Sequence, residues 1–320
     1  MKNAKIDEKV RQDLEKQGYR LVGKHSAIKI CEWTRKAIRG DDFCYKQQFY
    51  GIKSHRCVQM SCSLINCQNT CLHCWRDLRY TIPMTVADAD SPKKIIDDCI
   101  KEHKKILQGF LGNKKIDRAK FFEALNPKHF AISLTGEATL YPRLADFIKE
   151  LRKREITSFL VTNGLLPKKL LELKDKKALP TQLYVSLNYP NENLFRKLTR
   201  NKEKDAWKNL IQSLELLHKL KTRTVVRITL IKGFNDFNLE EYTKLIKIAK
   251  PKFIEVKAYM HVGYSTERLK EENMPLHSEV KDFAKKLSKL INYKILDEKE
   301  NSRVVLLGKS EKGRMLKLKD

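Results

Sequence analysis

The sequence predicts an α/β fold with a parallel sheet, and three observations carry that expectation. Short apolar runs at residues 58–65, 130–134, 158–162, 183–187, 225–231 and 253–260 alternate with amphipathic helical segments, as in repeated strand–helix units. The helices between them carry start signals: Ser91-Pro92, Pro142 ahead of 143–154, and Pro275 ahead of 276–290. Hydrophobic residues make up 41% of the 320 residues, enough for a sizeable core, and no internal repeat or Gly/Ser linker interrupts them.

Taken in order, residues 1–56 read as an N-terminal helical extension, with a short charged helix over Asp7–Lys16 and a helical stretch over 27–38. Residues 57–291 hold the six strand–helix units. Residues 292–320 add a strand pair, Tyr293-Lys-Ile-Leu-Asp297 with Arg303-Val-Val-Leu-Leu307, and a basic tail. No stretch of about eighteen apolar residues exists, and the start Met-Lys-Asn-Ala-Lys-Ile-Asp-Glu lacks the apolar core of a signal peptide. A cytoplasmic protein without membrane attachment is expected. Its eight cysteines then read as reduced thiols or metal ligands rather than disulfides.

The charge balance narrows the partner. Lys and Arg number 66 against 39 Asp and Glu, a formal net charge of +27. A thermophilic bias would raise glutamate alongside lysine and leave the balance nearer zero. An excess of this size is the electrostatic footprint of a nucleic-acid partner.

Three of the cysteines stand as Cys67-x3-Cys71-x2-Cys74, in the loop after the first strand. Structural zinc usually takes four protein ligands in paired C-x2-C units, whereas three thiolates on a [4Fe-4S] cube leave one iron open to an outside chelator. A loop at the carboxyl end of a strand is also where α/β barrels place their chemistry. Cys31, Cys44 and Cys57, thirteen residues apart each time, form a second trio in the extension, for which another cluster is the economical reading. Cys62 and Cys99 are expected to be buried thiols.

The cysteine loop resembles that of the radical S-adenosylmethionine (SAM) enzymes, and the six units resemble their partial, TIM-like (β/α)6 barrel. The resemblance implies that SAM occupies the open iron and is cleaved to a 5′-deoxyadenosyl radical. Thr135-Gly136-Glu137 after the second strand is similar to the motif with which such enzymes hold the SAM amino group, a glycine permitting close backbone approach and a carboxylate pairing with an ammonium. Thr162-Asn163 and Ser186-Leu-Asn188, ending the third and fourth strands, offer short polar side chains for its ribose and carboxylate. Arg227 with Thr229, and Lys257 with Tyr259, alternate inward on the last two strands, as ligand contacts or as barrel filling.

Adding Trp75-Arg76, the string Thr135-Gly-Glu-Ala-Thr-Leu-Tyr-Pro142, Lys232-Gly233-Phe-Asn235 and the upstream trio, nearly the whole chain resembles the archaeal 4-demethylwyosine synthase family. That resemblance implies condensation of 1-methylguanosine, 3′ to the anticodon of tRNA(Phe), with pyruvate. It also implies two [4Fe-4S] clusters, one on Cys67, Cys71 and Cys74 and the other on Cys31, Cys44 and Cys57. Lys46, two residues after Cys44, takes the place of the family's Schiff-base lysine. His73 departs from the usual aromatic ring before the last loop cysteine. Eukaryotic members carry a flavodoxin-like domain with no counterpart in these 320 residues, which implies an external flavodoxin- or ferredoxin-like electron donor. Expected tRNA contacts are Lys114, Lys115, Arg118 and Lys120, with Arg196, Lys197 and Arg200. Another radical SAM activity on RNA, such as methylthio transfer, would explain the first trio but not the second with Lys46. A non-catalytic metal-bearing RNA-binding module would explain charge and cysteines without SAM cleavage.

Overall fold

The computed structural model describes residues 6–317; residues 1–5 of the amino-terminal stretch read above, and 318–320 at the end of the basic tail, lie outside the described residues. The chain divides into two compact units, Met1–Cys67 with Ile82–Leu160 and Met315–Asp320, and Gln68–Thr81 with Val161–Arg314.

In the first unit α1 (Glu8–Lys16) is capped by Asp7, whose carboxylate accepts the Val10 N–H at 2.8 Å. β1 (Arg20–Val22) and β2 (Ser26–Ile28) form an antiparallel hairpin that turns at Gly23, φ +58. β2 pairs with β3 (Cys57–Ser61), setting Ala27 opposite Ser61 and Ile28 opposite Met60. The expected helix over 27–38 is therefore corrected to a strand followed by α2 (Glu32–Arg39). Ala27 and Ile28 are 0% and 1% exposed, and burial against β3 overrides their local helix preference. α3 (Tyr45–Tyr50) completes the extension. α4 (Pro92–Gln108) opens on the expected signal, the Ser91 hydroxyl accepting the Lys94 N–H. Then come α5 (Arg118–Ala124), β4 (His129–Ile132), α6 (Leu144–Lys153) and β5 (Thr157–Thr162). β3, β4 and β5 are parallel, with Cys57 opposite His129 and His129 opposite Thr157. β4 is buried along its whole length, as a parallel strand covered on both faces should be.

The second unit holds α7 (Pro167–Asp175), β6 (Gln182–Ser186), α8 (Glu192–Thr199), α9 (Ala206–Leu217), β7 (Arg223–Leu230), α10 (Leu239–Ala249), β8 (Phe253–Ala258), α11 (His277–Ile291), β9 (Lys294–Lys299) and β10 (Val304–Gly308). β6, β7 and β8 are parallel. β10 lies antiparallel between β8 and β9, the expected strand pair. All five β10 residues are buried, whereas β9 begins exposed, as an edge strand does. The alternation of strands and helices predicted from the sequence is present, but antiparallel strands flank the parallel ones, and the sheet is mixed.

Candidate functional site

β3 ends four residues short of the apolar run that suggested it, because the chain turns to meet the loop after β4. Ser61 Oγ donates to the Thr135 carbonyl at 2.6 Å, Ser63 Oγ to the Glu137 carbonyl at 2.7 Å, and Thr135 Oγ1 to the Leu64 carbonyl at 3.0 Å. The Glu137 N–H closes the lacing on the Asn66 carbonyl at 2.7 Å, one residue before Cys67. Gly136 sits at φ +70, and a Cβ there would lie 1.8 Å from the Ser63 carbonyl oxygen and 3.0 Å from that of Asn66. Glycine is required by both the left-handed backbone and this approach. The approach is to the protein's own cysteine loop. Glu137 is 2% exposed, and its Oε1 accepts from the Thr139 N–H (3.1 Å) and hydroxyl (2.6 Å), capping a short turn at Ala138–Leu140.

In the second unit the segment bearing Cys71 and Cys74 is held by backbone. The N–H groups of Thr70 and Leu72 donate to the carbonyls of Thr199 and Leu198, each at 2.9 Å. Arg268 donates to the Leu72 carbonyl at 3.2 Å and to the Cys74 carbonyl, and Asn201 Nδ2 to Asn69 Oδ1 at 2.7 Å. Thr162 and Asn163 shape the turn after β5, accepting the N–H groups of Gly164 and Leu165 at 3.1 and 3.0 Å. Asn163 also reaches Gln68 Oε1 at 3.1 Å. Ser186 is half-buried at the end of β6. Asn188 Oδ1 accepts the Thr229 N–H at 2.7 Å, which orients its amide so that Nδ2 meets His73 Nε2 at 3.2 Å. His73 Nε2 is then the acceptor, and Nδ1 is assigned the hydrogen. Burial, with Arg268 adding, pushes this imidazole down to about 4, and the ring is neutral at neutral pH. Its Nδ1 is buried without a hydrogen-bond partner among the described residues. An orphaned donor between Cys71 and Cys74 fits an acceptor such as a cluster sulfide or a ligand carboxylate.

The second trio lies within the first unit. Cys31 and Cys44 are the N-cap residues of α2 and α3, and neither side chain is spent on a capping bond. Helix starts favour thiolates. Cys57 opens β3. Thr34 Oγ1 donates to the carbonyls of Ser54 and Cys57 at 3.2 and 3.4 Å, Ser54 Oγ accepts the Cys44 N–H at 3.0 Å, and Gln47 Oε1 accepts the Ser54 N–H at 3.0 Å. These bonds lock the three cysteine-bearing segments together. Burial first pushes the Cys57 thiol up to about 12, Lys46 opposes, and Cys44 and Cys31 reinforce the rise, so the four side chains share one electrostatic neighbourhood. Lys46 is 7% exposed, with its Nζ over the Phe159 ring, 5.1 Å from the centroid.

The donor chemistry fits iron–sulfur ligation: soft, half-buried thiols outside any disulfide. Among the described residues no three His, Cys, Asp or Glu side chains are gathered for a single metal ion, and a four-iron cube spreads its thiolates wider than one ion does. Cys62 and Cys99 are fully buried, as expected. No helix among the described residues is long and apolar enough to cross a membrane. Beside α3 lies a cavity of about 490 Å³ bordered by Phe43, Gln47 and His55, where Glu123 meets His55 at 2.8 Å and Lys53 at 3.7 Å.

Some expected tRNA contacts are otherwise engaged. Arg196 bonds Glu192 at 2.9 Å and the carbonyls of Asn201, Glu203 and Lys204, which makes it a brace for the chain after α8. Lys120 pairs with Asp117 at 3.2 Å. On the inward positions, Arg227 pairs with the fully buried Glu255, Tyr259 bonds Ser265, and Lys257 bonds the Ser302 carbonyl. No local pattern marks Arg268 among 66 basic residues, nor Asn201, Thr34 or Ser54, whose partners are remote in the chain.

A model of the radical SAM superfamily matches residues 64–246, and one of wyosine base formation matches 248–309. The S-adenosyl-L-methionine-dependent tRNA 4-demethylwyosine synthase of Pyrococcus abyssi is 46% identical over 307 residues, covering 95% of this chain and 90% of that protein. A solved structure of TYW1 with a lysine–pyruvate adduct bound matches 97% of this chain and 98% of its own, with a TM-score of 0.86 and 38% identity. A crystal structure of archaeal TYW1 has the same coverage, a TM-score of 0.78 and 35% identity. The chain belongs to the tRNA 4-demethylwyosine synthase family of radical SAM enzymes, which work with SAM and a [4Fe-4S] cluster.

Proposed function

We propose that this radical SAM enzyme of wyosine-base formation joins 1-methylguanosine, 3′ to the anticodon of tRNA(Phe), to pyruvate, giving tricyclic 4-demethylwyosine. In this reading residues 57–291 form the catalytic core, 1–56 contribute Cys31 and Cys44 to the auxiliary trio that Cys57 completes, and 292–320 complete the fold. Cys67, Cys71 and Cys74 hold one [4Fe-4S] cluster, and Cys31, Cys44 and Cys57 hold the second. Gly136, Glu137, Thr162, Asn163, Ser186 and Asn188 shape the SAM site, with Gly136 and Asn188 acting through the segments they pack against. Bound together, the first cluster and SAM supply a carbon radical able to take hydrogen from an unactivated methyl group.

Lys46 is the observation that carries the reading. It is buried in the first turn of α3, over the Phe159 ring, in the same electrostatic neighbourhood as Cys57, Cys44 and Cys31. A ketone bound beside those thiols lies within reach of its amine. Addition of the amine to the carbonyl carbon with loss of water gives an imine; the carbon radical made from the guanosine methyl group bonds to that carbon, the carboxyl group leaves from it with the unpaired electron, and attack by the guanine amino group on the restored imine releases the lysine and closes the ring. The lysine–pyruvate adduct in the solved TYW1 structure supports this role. Electrons come from a flavodoxin- or ferredoxin-like donor, and the basic surface favours tRNA. The test is Lys46→Ala in the anaerobically reconstituted enzyme with SAM, reductant, pyruvate and 1-methylguanosine-containing tRNA(Phe). The variant should keep its iron, SAM cleavage and tRNA binding, yet lose the tricyclic nucleoside. Borohydride should fix pyruvate carbon on wild type alone. Product at near wild-type rate from Lys46→Ala would overturn the assignment.

A further inference from the structure

We propose that the exposed face of α5 and the loop leading into it form a platform for an unpaired nucleotide of the tRNA, separate from the reacting base. This rests on the tRNA-modifying reading above and adds a second contact to it.

The sequence Phe121-Phe122 splits its two rings between opposite environments. Phe121 is 3% exposed and packs with Ile30, Ile38, Leu107 and Ala124, while Phe122, edge-on to it at 5.6 Å, is 61% exposed. Leu111, in the loop before α5, is 63% exposed. One ring anchors the helix in the core. The other is left mostly to solvent.

Cations stand close in sequence to each of these two apolar residues. Lys114, Lys115 and Arg118 are exposed, and their charged groups have no ion-pair or hydrogen-bond partner among the described residues, whereas Lys120 and Lys105 nearby are paired with Asp117 and Glu102 at 3.2 and 2.6 Å. Arg118 and Phe122 are four residues apart on α5, which sets a guanidinium beside a ring on one helical face. An apolar patch alone would suit a protein, and cations alone a duplex backbone. A ring with adjacent unpaired cations suits a splayed base stacking on Phe122 while its phosphates meet Lys114, Lys115 and Arg118. Duplex RNA keeps its base faces stacked inside and offers Phe122 nothing.

The mount is firm. The Asp117 N–H donates to the Ile38 carbonyl at 3.0 Å, and α5 packs against α2 and the turn Ser54–Arg56, the elements that adjoin Cys31 and Cys57. RNA held here is held on the same unit as Lys46.

The test measures binding of 1-methylguanosine-containing tRNA(Phe) by fluorescence anisotropy across a salt series, alongside 5′-deoxyadenosine formation without tRNA. Phe122→Ala should weaken binding roughly fivefold to a hundredfold, and Phe122→Trp should retain it. Replacing Lys114, Lys115 and Arg118 together by Gln should lower the log–log salt slope by about 2. RNA-free SAM cleavage should stay at the wild-type rate in each. Wild-type binding matched by all variants, in affinity and slope, would overturn the platform while leaving the enzyme's function standing. Unchanged RNA affinity with slower reduction by an acidic flavodoxin would overturn it in favour of the electron donor. A wild-type chain that does not bind the tRNA would overturn the functional reading and the platform with it.

Discussion

Replacing Gly136 by Ala should cost far more than a left-handed glycine normally does, and Gly233 supplies the matched comparison. Both residues have positive φ, +70 and +76, so both variants bear the same backbone penalty of about 1 kcal/mol. At Gly233 a Cβ would meet nothing within 4 Å. At Gly136 it would lie 1.8 Å from the Ser63 carbonyl oxygen, where 3.0 Å is already at the edge of what real contacts show. That oxygen must retreat by more than 1 Å, and it belongs to backbone pinned by Ser61, Ser63 and Thr135. Retreat breaks the 2.7 Å bond from the Glu137 N–H to Asn66, and losing one or two such buried bonds adds about 1 to 3 kcal/mol each. Gly136→Ala should therefore destabilise the apo-protein by about 2 to 5 kcal/mol beyond Gly233→Ala, read by urea denaturation. Because Asn66 precedes Cys67, reconstituted Gly136→Ala should also retain less iron. Equal destabilisation of the two variants, with full iron in both, would refute the close-packing account of Gly136.

Two further expectations concern buried charge. Arg227 bonds Glu255 at 2.8 and 3.0 Å and lies over Tyr184, and Glu255 is 0% exposed, so Arg227→Met should destabilise by about 3 to 5 kcal/mol. Adding Glu255→Gln should restore most of that loss in denaturation experiments, and a double variant no better than the single would show that the pair is uncoupled. Burial holds His103 down to about 4, against about 6.5 for an unfolded chain. The unfolded state thus takes a proton that the folded state refuses, and falling pH should cost about 1.4 kcal/mol per unit between 6.5 and 4. His103→Leu should flatten the pH dependence of apo-protein stability by one proton's worth in that window; an unchanged slope would show that His103 does not titrate this way.

The sequence was most legible where chemistry depends on spacing along the chain. Cys67, Cys71, Cys74 and the Gly136-Glu137 pair could be named because their motif is local, and the parallel strands because their apolar runs are continuous. Meaning was harder to read than position. Gly136 was expected to permit close approach to a ligand, yet its missing Cβ makes room for Ser63 and Asn66, a contact 70 or more residues away in sequence. The helix expected over 27–38 takes in Ala27 and Ile28 because so short a strand carries too little periodicity, and pairing with Met60 and Ser61 decides their state. Arg196 resembled any other surface cation until its four acceptors could be seen. Ser54, Thr34 and Asn201 act through partners that no local pattern announces.

Within the first unit β3 stands between Cys57, at its start, and the turn that leads from its end to Cys67. At about 3.3 Å per residue, its five positions measure about 13 Å from first to last. β3 works as a ruler between two chemistries, fixed on both sides by β2 and β4. A one-residue insertion would turn Val58 and Met60 out of the core, and a two-residue insertion would keep the faces but lengthen the gap by about 7 Å. Paired on both sides and buried at Val58 and Met60, the stretch from Cys57 to Ser61 has little freedom to change length.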